Sequence, residues 1–247
     1  MRKSSRYTVE KVLREHMEEL GMYGPNRVLE LDQKPVSFGA SEIITDAMAE
    51  DLVDAAVVVC EGAGTVIVTM SEVLQAIGAH MTGLYHTEPI GQIQRGLKER
   101  GSILLDRQCT IDQVKGYEVA VKAGFEKIVV TITGHRAFEA RLLREMGKKC
   151  GVQPVILAVH NTGMSEEQAG ILVEHCDIVW SCASKWARKM VGKRAKIQMG
   201  VSIPVFALTD MGKRLVLNRA LHFEDGLVIH RAILPHLRTD RQPEPLM

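Results

Sequence analysis

Short apolar runs that alternate with helical segments constrain the fold of this sequence more than any other feature. The clearest run covers residues 55–59, where alanine and valine follow one another without a polar interruption. A continuous run of this kind is typical of a strand that is buried on both faces of a parallel sheet. Similar runs alternate with helical patterns along the chain, as in βαβ units. The alternation predicts an α/β protein with a mainly parallel sheet and helices on both faces.

The periodicity also assigns the individual elements. Helices are expected at residues 8–20, 39–50, 71–79, 90–100, 114–123, 137–149, 166–175, 186–195 and 210–221. Strands are expected at residues 27–31, 35–38, 55–59, 65–69, 84–86, 102–105, 127–132, 154–159, 178–182 and 205–208. Thr8, Ser41 and Asp112 are candidate N-caps of the helices that they precede or open. We therefore divide the chain into an N-terminal helix with its connector (1–34), an α/β core (35–237) and a flexible tail (238–247).

Two stretches of the core share one design, in which a Gly-x-Ser-Glu helix start leads to a strand that ends on cysteine. The first stretch runs from Gly39 to Cys60 and the second from Gly163 to Cys182. The similarity predicts two pseudo-repeated Rossmann-like lobes, at about residues 35–125 and 126–237. The alternative is coincidence, because cysteine is a common buried residue and Ser-Glu is a common helix start.

Composition excludes several classes of protein. The 247 residues carry a formal net charge of +1, so no overall field favours nucleic acid or a membrane surface. Five cysteines fit a reducing cytoplasm better than a disulfide framework. The basic start is not followed by an apolar segment of the secretory type. We expect a cytoplasmic protein that binds a small molecule and works as a monomer or a homo-oligomer.

Candidate catalytic residues follow the predicted strands, because ligands of open parallel sheets bind at the carboxyl ends of the strands. Cys60 and Cys182 are the candidate reactive thiols, and Glu61 and His160 are candidate supporting groups. Backbone N–H groups at a following helix would stabilise a thiolate. Two such thiols are also what a two-base proton-transfer enzyme needs. The segments around Cys60 and Cys182 resemble the two cysteine motifs of aspartate/glutamate racemases. Core packing of both cysteines remains the alternative.

Candidate ligand-binding residues lie in the same loops and point to a small anionic ligand. The Gly-rich turn after Cys60 could bring backbone amides close to an anion, although a plain turn is the alternative. The basic segment after Cys182 could bind a phosphate-like group, although a solvated surface is its default explanation. The ligand-binding candidates are Ser41, Gly62, Gly64, Thr65, Asn161, Thr162, Ser184, Lys185 and Arg188. The two thiols could instead bind a metal with His160 or His86 as a further ligand, but no metal-binding spacing supports this alternative, and the pattern does not identify a cofactor.

Several segments together resemble a known family. They are Ser37-Phe-Gly-Ala-Ser-Glu42, the stretch from Val58 to Thr69, Ile111-Asp-Gln-Val114, Ala158-Val-His-Asn-Thr-Gly163, Cys182-Ala-Ser-Lys185 and Ser202-Ile-Pro-Val-Phe-Ala207. The sequence resembles methanogenesis marker protein 8, an archaeal family of unknown function. The resemblance implies a cytoplasmic protein linked to methane or one-carbon metabolism. It leaves open whether the protein is a thiol-dependent enzyme or a non-catalytic assembly or cofactor-maturation factor.

Overall fold

The structure is a computed structural model that describes residues 6–78, 85–229 and 236–241. Its helices are α1 (Arg6–Leu20), α2 (Ala40–Ala49), α3 (Ser71–Gly78), α4 (Gly91–Glu99), α5 (Gln113–Lys122), α6 (Phe138–Cys150), α7 (Glu166–His175) and α8 (Asp210–Leu221). Its strands are β1 (Ala55–Cys60), β2 (Gly64–Val68), β3 (Ile103–Leu104), β4 (Ile128–Thr133), β5 (Val155–Val159), β6 (Ile178–Trp180), β7 (Ile197–Met199) and β8 (Val205–Ala207). Short helical turns cover Gly134–Arg136, Ala187–Val191, Gly192–Arg194 and Thr239–Arg241.

The described strands form one sheet in the order β3-β2-β1-β4-β5-β6-β8-β7. The four central strands, β1, β4, β5 and β6, are parallel. The flanking pairs β1–β2, β2–β3, β6–β8 and β7–β8 are antiparallel. The prediction of an α/β fold with a mainly parallel central sheet is therefore confirmed, and the carboxyl ends of the four parallel strands share one edge.

Apolar side chains cover both faces of this sheet. On β1, Ala56, Val58 and Cys60 pack on the face that carries α2, α3, α4 and α8. Ala55 and Val57 pack on the opposite face, against α5, α6 and α7. Alternate residues of one strand thus enter two separate cores. This explains why the sequence of β1 is apolar without interruption.

Several local predictions are wrong. Residues 27–31 and 35–38 are not strands, and neither are Tyr85 and His86. Leu84 lies outside the described residues. The expected helix at 186–195 is a π-helical turn followed by a 3-10 turn, and β7, which pairs with β8, was not anticipated.

The predicted helix caps have mixed outcomes. Asp112 is an N-cap as predicted, and its carboxylate accepts a hydrogen bond from the Lys115 amide at 2.9 Å. The cap of α2 is Gly39 rather than Ser41. Helix α1 begins at Arg6, so that Thr8 lies inside it.

The predicted duplication is not visible in the topology. Strand β1 turns directly into the antiparallel strand β2, whereas β6 leads into the turn Ala187–Val191. One sheet also joins both proposed halves, because β1 pairs with β4. The division into lobes therefore stays a prediction. In the described part of the chain, no helix is long and apolar enough to cross a membrane.

Candidate functional site

A cavity of about 550 Å³ lies at the carboxyl ends of β5 and β6. Three further segments close it: the start of α2, the connector before α2, and the loop between β7 and β8. The described lining comprises residues 36–42, Gly78, Val159, His160, Trp180, Cys182, residues 199–203 and Val205. The cavity therefore occupies the part of the sheet where α/β proteins bind their ligands.

Cys182 and His160 both line this cavity, and each follows one of two neighbouring parallel strands. Both have a left-handed backbone, with φ of 47° at Cys182 and 53° at His160. This conformation costs a residue with a side chain about 1–2 kcal/mol. Such strain persists only where the surrounding contacts fix it, and it clusters at active sites, although Tyr23, Asp51 and Cys109 outside the cavity share this conformation.

Asn161 supplies contacts that fix these two strand ends. Its side chain is fully buried and donates hydrogen bonds to the carbonyl oxygens of Ala158, at 2.9 Å, and Trp180, at 2.7 Å. Its backbone N–H donates to Sγ of Cys182 at 3.4 Å. In addition, the amide of Ala183 donates to Oγ1 of Thr162 at 3.3 Å. Asn161 and Thr162 therefore connect the ends of β5 and β6 and hold the sulfur in place.

His160 contributes an imidazole in a largely dry setting. Burial lowers the pKa of His160 below its ordinary value of 6.5. Desolvation disfavours the charged ring, so the neutral form dominates at neutral pH. A neutral imidazole can accept a proton from a nearby acid.

Glu42 forms the opposite wall at the start of α2. Its side chain is almost fully buried, and its carboxylate accepts hydrogen bonds from the Val36 amide at 3.2 Å and the Ser41 hydroxyl at 2.7 Å. Oε2 lies so close to Gly39 that a Cβ there would be 2.1 Å from it. Glycine at position 39 therefore makes room for the carboxylate. Sequence analysis missed Glu42, although Ser-Glu at a helix start was its visible signal.

The connector before α2 is held in place by long side chains from other elements. Trp180 Nε1 donates to the carbonyl oxygen of Phe38 at 2.8 Å. Arg219 of α8 donates to the carbonyl oxygen of Ser37 and to the buried carboxylate of Asp46, both at 2.8 Å. The connector forms a cavity wall although it is not a strand.

Comparison of the sequence with known proteins places this chain among uncharacterised archaeal proteins. The family model described as "Uncharacterized protein conserved in archaea (DUF2099)" matches residues 1–221. The chain belongs to this archaeal family. An uncharacterised protein of Methanocaldococcus jannaschii is 32% identical over 238 residues, which cover 94% of this chain and 80% of that protein.

In this member of the archaeal family, Cys60 has surroundings unlike those of Cys182. Cys60 is fully buried, and burial raises the pKa of its thiol to about 11. The next residue, Glu61, forms a buried ion pair with Arg27. Strands β4 and β5 separate β1 from β6, so the two strand ends are roughly 14 Å apart. Cys60 and Glu61 are not in the described lining of the cavity.

The Gly-rich turn after Cys60 uses its polar groups internally. The amide of Gly62 donates to Oγ1 of Thr87 at 2.8 Å, and the amide of Thr65 donates to the carbonyl oxygen of Thr110 at 3.0 Å. The Thr65 hydroxyl is buried between Asp112 and Gln113. A Cβ at Gly64 would clash with the backbone of Cys109 at 2.4 Å. These contacts are those of a packed turn.

The basic segment after Cys182 lies outside the described lining. Lys185 is exposed, with its Nζ 4.8 Å from the centre of the Trp186 ring. Arg188 donates to the carbonyl oxygen of Ser202 at 2.8 Å and so braces the loop that closes the cavity. Ser184 is buried and accepts a hydrogen bond from the Ala187 amide at 3.2 Å. The described lining contains no lysine or arginine that would pair with the predicted anionic ligand.

The cavity thus combines a thiol, a neutral imidazole and a carboxylate between apolar walls. These groups can support nucleophilic attack, proton transfer and recognition of a hydrogen-bond donor. Among the described residues, no group of three or more His, Cys, Asp or Glu side chains is arranged to hold a metal ion.

Proposed function

We propose that this archaeal protein binds a small organic molecule in the cavity and acts on it through the thiol of Cys182. The observation that carries the proposal is the joint placement of Cys182 and His160, because both line one cavity in a strained backbone conformation. Cavities of roughly 300–1,000 Å³ are typical small-molecule sites, and this one falls in that range.

The proposed chemistry is attack of the Cys182 sulfur on an electrophilic carbon of the ligand. The sulfur–carbon bond forms as a carbonyl π bond of that carbon breaks and its electron pair moves onto the carbonyl oxygen, and the thiol proton passes by way of the neutral imidazole of His160 to that oxygen. The N–H of Asn161 contacts the sulfur and favours negative charge on it. Apolar walls reduce the water content of the site, which strengthens these interactions.

The metabolic context is part of the proposal. The resemblance to methanogenesis marker protein 8 supports a role in methane or one-carbon metabolism in the archaeal cytoplasm. The family match and the M. jannaschii relative support the archaeal context.

A second candidate function is a non-catalytic assembly or maturation factor. Three apolar side chains at the cavity, Val36, Val201 and Ile203, are 51%, 58% and 57% exposed. Such exposure is unusual when it is clustered and is typical of a docking surface. The two-cysteine racemase has less support, because Cys60 is sealed in the core.

Timed alkylation tests the thiol chemistry. The full chain is treated with iodoacetamide from pH 5 to pH 9, and each cysteine is quantified by peptide mass spectrometry. Cys150 is exposed and serves as the internal reference for an accessible thiol. We expect Cys182 to react roughly tenfold faster than Cys150 at neutral pH despite its partial burial, and Cys60 to react only after unfolding.

A His160→Asn variant then tests whether His160 activates the Cys182 thiol. Asparagine is chosen because it tolerates the left-handed backbone at this position. The rate at Cys182 should fall towards that of Cys150, while the rate at Cys150 stays unchanged. If Cys182 reacts more slowly than Cys150 in the native protein, the thiol mechanism is wrong and the assembly factor becomes the better candidate.

A further inference from the structure

The buried carboxylates of the described residues differ in how their charge is balanced. Five are almost fully buried: Glu42, Asp46, Glu61, Glu139 and Asp177. Four of them have a cationic partner, which is Arg27 for Glu61, Lys34 and Arg219 for Asp46, Arg136 for Glu139 and Arg144 for Asp177. Glu42 forms no salt bridge with a described residue. A buried charge without a partner is costly, so this exception needs a reason.

The existing contacts of Glu42 leave part of its accepting capacity free. An ionised carboxylate has about four acceptor positions. Three donors reach this one: the Val36 amide, the Ser41 hydroxyl and, at 3.3 Å, the side-chain amide of Gln75. All three donors are neutral. Glu42 is also one of the residues that line the cavity, with 1% of its surface exposed, so a bound molecule must pack directly against it to make contact.

The remaining described residues of the lining carry no positive charge that would balance the Glu42 carboxylate. Its described residues include no lysine or arginine, and His160 is neutral at neutral pH because burial lowers its pKa. Most of the wall is apolar, with Phe38, Trp180 and Val205 among its side chains. An anion here would face the Glu42 carboxylate without a compensating side chain. A cation would supply the charged partner that Glu42 does not have among the described residues.

We infer that the ligand is an apolar molecule with an ammonium-type cation, which binds at Glu42 while the apolar body lies along the wall toward Cys182. The inference rests on the proposed function for the use of this cavity and names the class of ligand that it takes. It also replaces the anionic ligand suggested by the sequence with a cationic one.

The competing explanation is that the start of α2 balances the charge alone. Backbone N–H groups and the helix dipole do stabilise a carboxylate at this position. In that case a cationic ligand would gain nothing at Glu42. The two explanations therefore differ in the charge preference of the cavity.

A matched set of three probes measures this preference: phenethylammonium, phenethyl alcohol and hydrocinnamate. Their apolar part is the same and their charge is positive, neutral and negative. Dissociation constants are measured on the full chain by titration calorimetry and ligand-observed NMR. We expect phenethylammonium to bind at least about tenfold more tightly than phenethyl alcohol, because a charge-assisted hydrogen bond is stronger than a neutral one. Hydrocinnamate should bind most weakly.

Glu42→Gln locates the effect, and Glu50→Gln is its matched control. Glu50 lies at the other end of α2, is exposed, and is outside the described lining of this cavity. The preference for phenethylammonium should fall to within about threefold in Glu42→Gln and stay unchanged in Glu50→Gln. If Glu42→Gln does not fold, the ranking of the three probes on the wild-type protein decides.

Three results would overturn the inference: no measurable binding of phenethylammonium, equal or tighter binding of hydrocinnamate, or an unchanged preference in Glu42→Gln. The alkylation of Cys182 is an independent readout. If Cys182 is alkylated slowly but the cavity still prefers phenethylammonium, the thiol chemistry is wrong and the cationic ligand class stands. If Cys182 is alkylated fast but the cavity shows no such preference, the ligand class is wrong and the thiol chemistry stands.

Discussion

The strand end at Cys60 and the strand end at Cys182 begin from similar sequences and reach opposite environments. Each cysteine follows an apolar strand that is preceded by an aspartate, Asp54 or Asp177. Cys60 is sealed in the core beside a buried ion pair, whereas Cys182 is only partly buried and lines a cavity. The chemistry available to each thiol is therefore set by the segment that packs over its strand end.

Different segments cover the two ends. At β1, Arg27 from the N-terminal connector reaches Glu61 and also donates to the carbonyl oxygen of Ala76 at 3.0 Å. At β6, the covering segments are the connector at 36–38 and the loop at 200–204, and they leave a cavity between them. One end is filled by a buried ion pair, and the other borders a cavity.

The largest expected effect is a loss of stability when the ion pair beside Cys60 is removed. Arg27→Met removes the cation and leaves Glu61 buried without a partner. We expect the free energy of unfolding to fall by about 3–5 kcal/mol, which is the usual cost of removing one partner of a buried ion pair. Urea denaturation followed by circular dichroism measures this change.

Arg100→Met is the matched control, because Arg100 pairs with Glu30 at 2.5 Å at a position that is partly exposed to solvent. Its cost should be about 0–1 kcal/mol. Equal losses in the two variants would contradict the view that the ion pair at Arg27 locks the strand end.

A smaller effect compares the backbones at the two cysteines. Cys182 is left-handed, so glycine should be more stable than alanine at position 182 by about 1 kcal/mol. Cys60 ends a regular strand, where glycine should be less stable than alanine by roughly 0.5–1 kcal/mol. Denaturation of the four single variants measures both differences, and an alanine at position 182 that is at least as stable as glycine would show that Cys182 is not strained.

Sequence reasoning predicted the central sheet because each parallel strand has a local signature. The continuous apolar runs of β1 and β5 and the largely apolar run of β4 follow from burial on both faces, and the N-cap Asp112 followed from the chemistry of helix starts. The connector at 35–38 was misassigned because its apolar residues suggest a strand. Its position depends on Trp180 and Arg219, which are distant in sequence.

The candidate site was predictable only in part. His160 and Cys182 were found because polar residues after parallel strands share one edge of the sheet. The sequence left core packing of Cys60 as an alternative to reactivity, and its burial depends on α2, α3 and α4, which cover that face of the sheet. Glu42 was missed because the lack of a cationic partner among the described residues is noticed only when the partners of the other buried carboxylates are known.

The smallest expected effect is a pH dependence of stability that comes from His160 beside the Cys182 strand end. Burial lowers the pKa of His160 below 6.5, so the unfolded chain binds a proton more readily than the folded one. The contribution of neutral His160 to stability is therefore complete above about pH 6.5, and it is lost as the pH falls from there towards the lower pKa of the folded state. His160→Asn removes this dependence, and urea denaturation at several pH values between 5 and 8 measures it.

The informative quantity is the difference in free energy of unfolding between the wild type and His160→Asn. Burial also lowers the pKa of His175 and raises that of Glu139, and both groups are present in both proteins, so their contributions cancel in this difference. The difference should be constant above about pH 7 and should shift against the wild type below about pH 6.5. A difference that is constant across the whole range would mean that the imidazole is as well solvated in the folded protein as in the unfolded chain. The low water content proposed for the site around Cys182 would then be wrong.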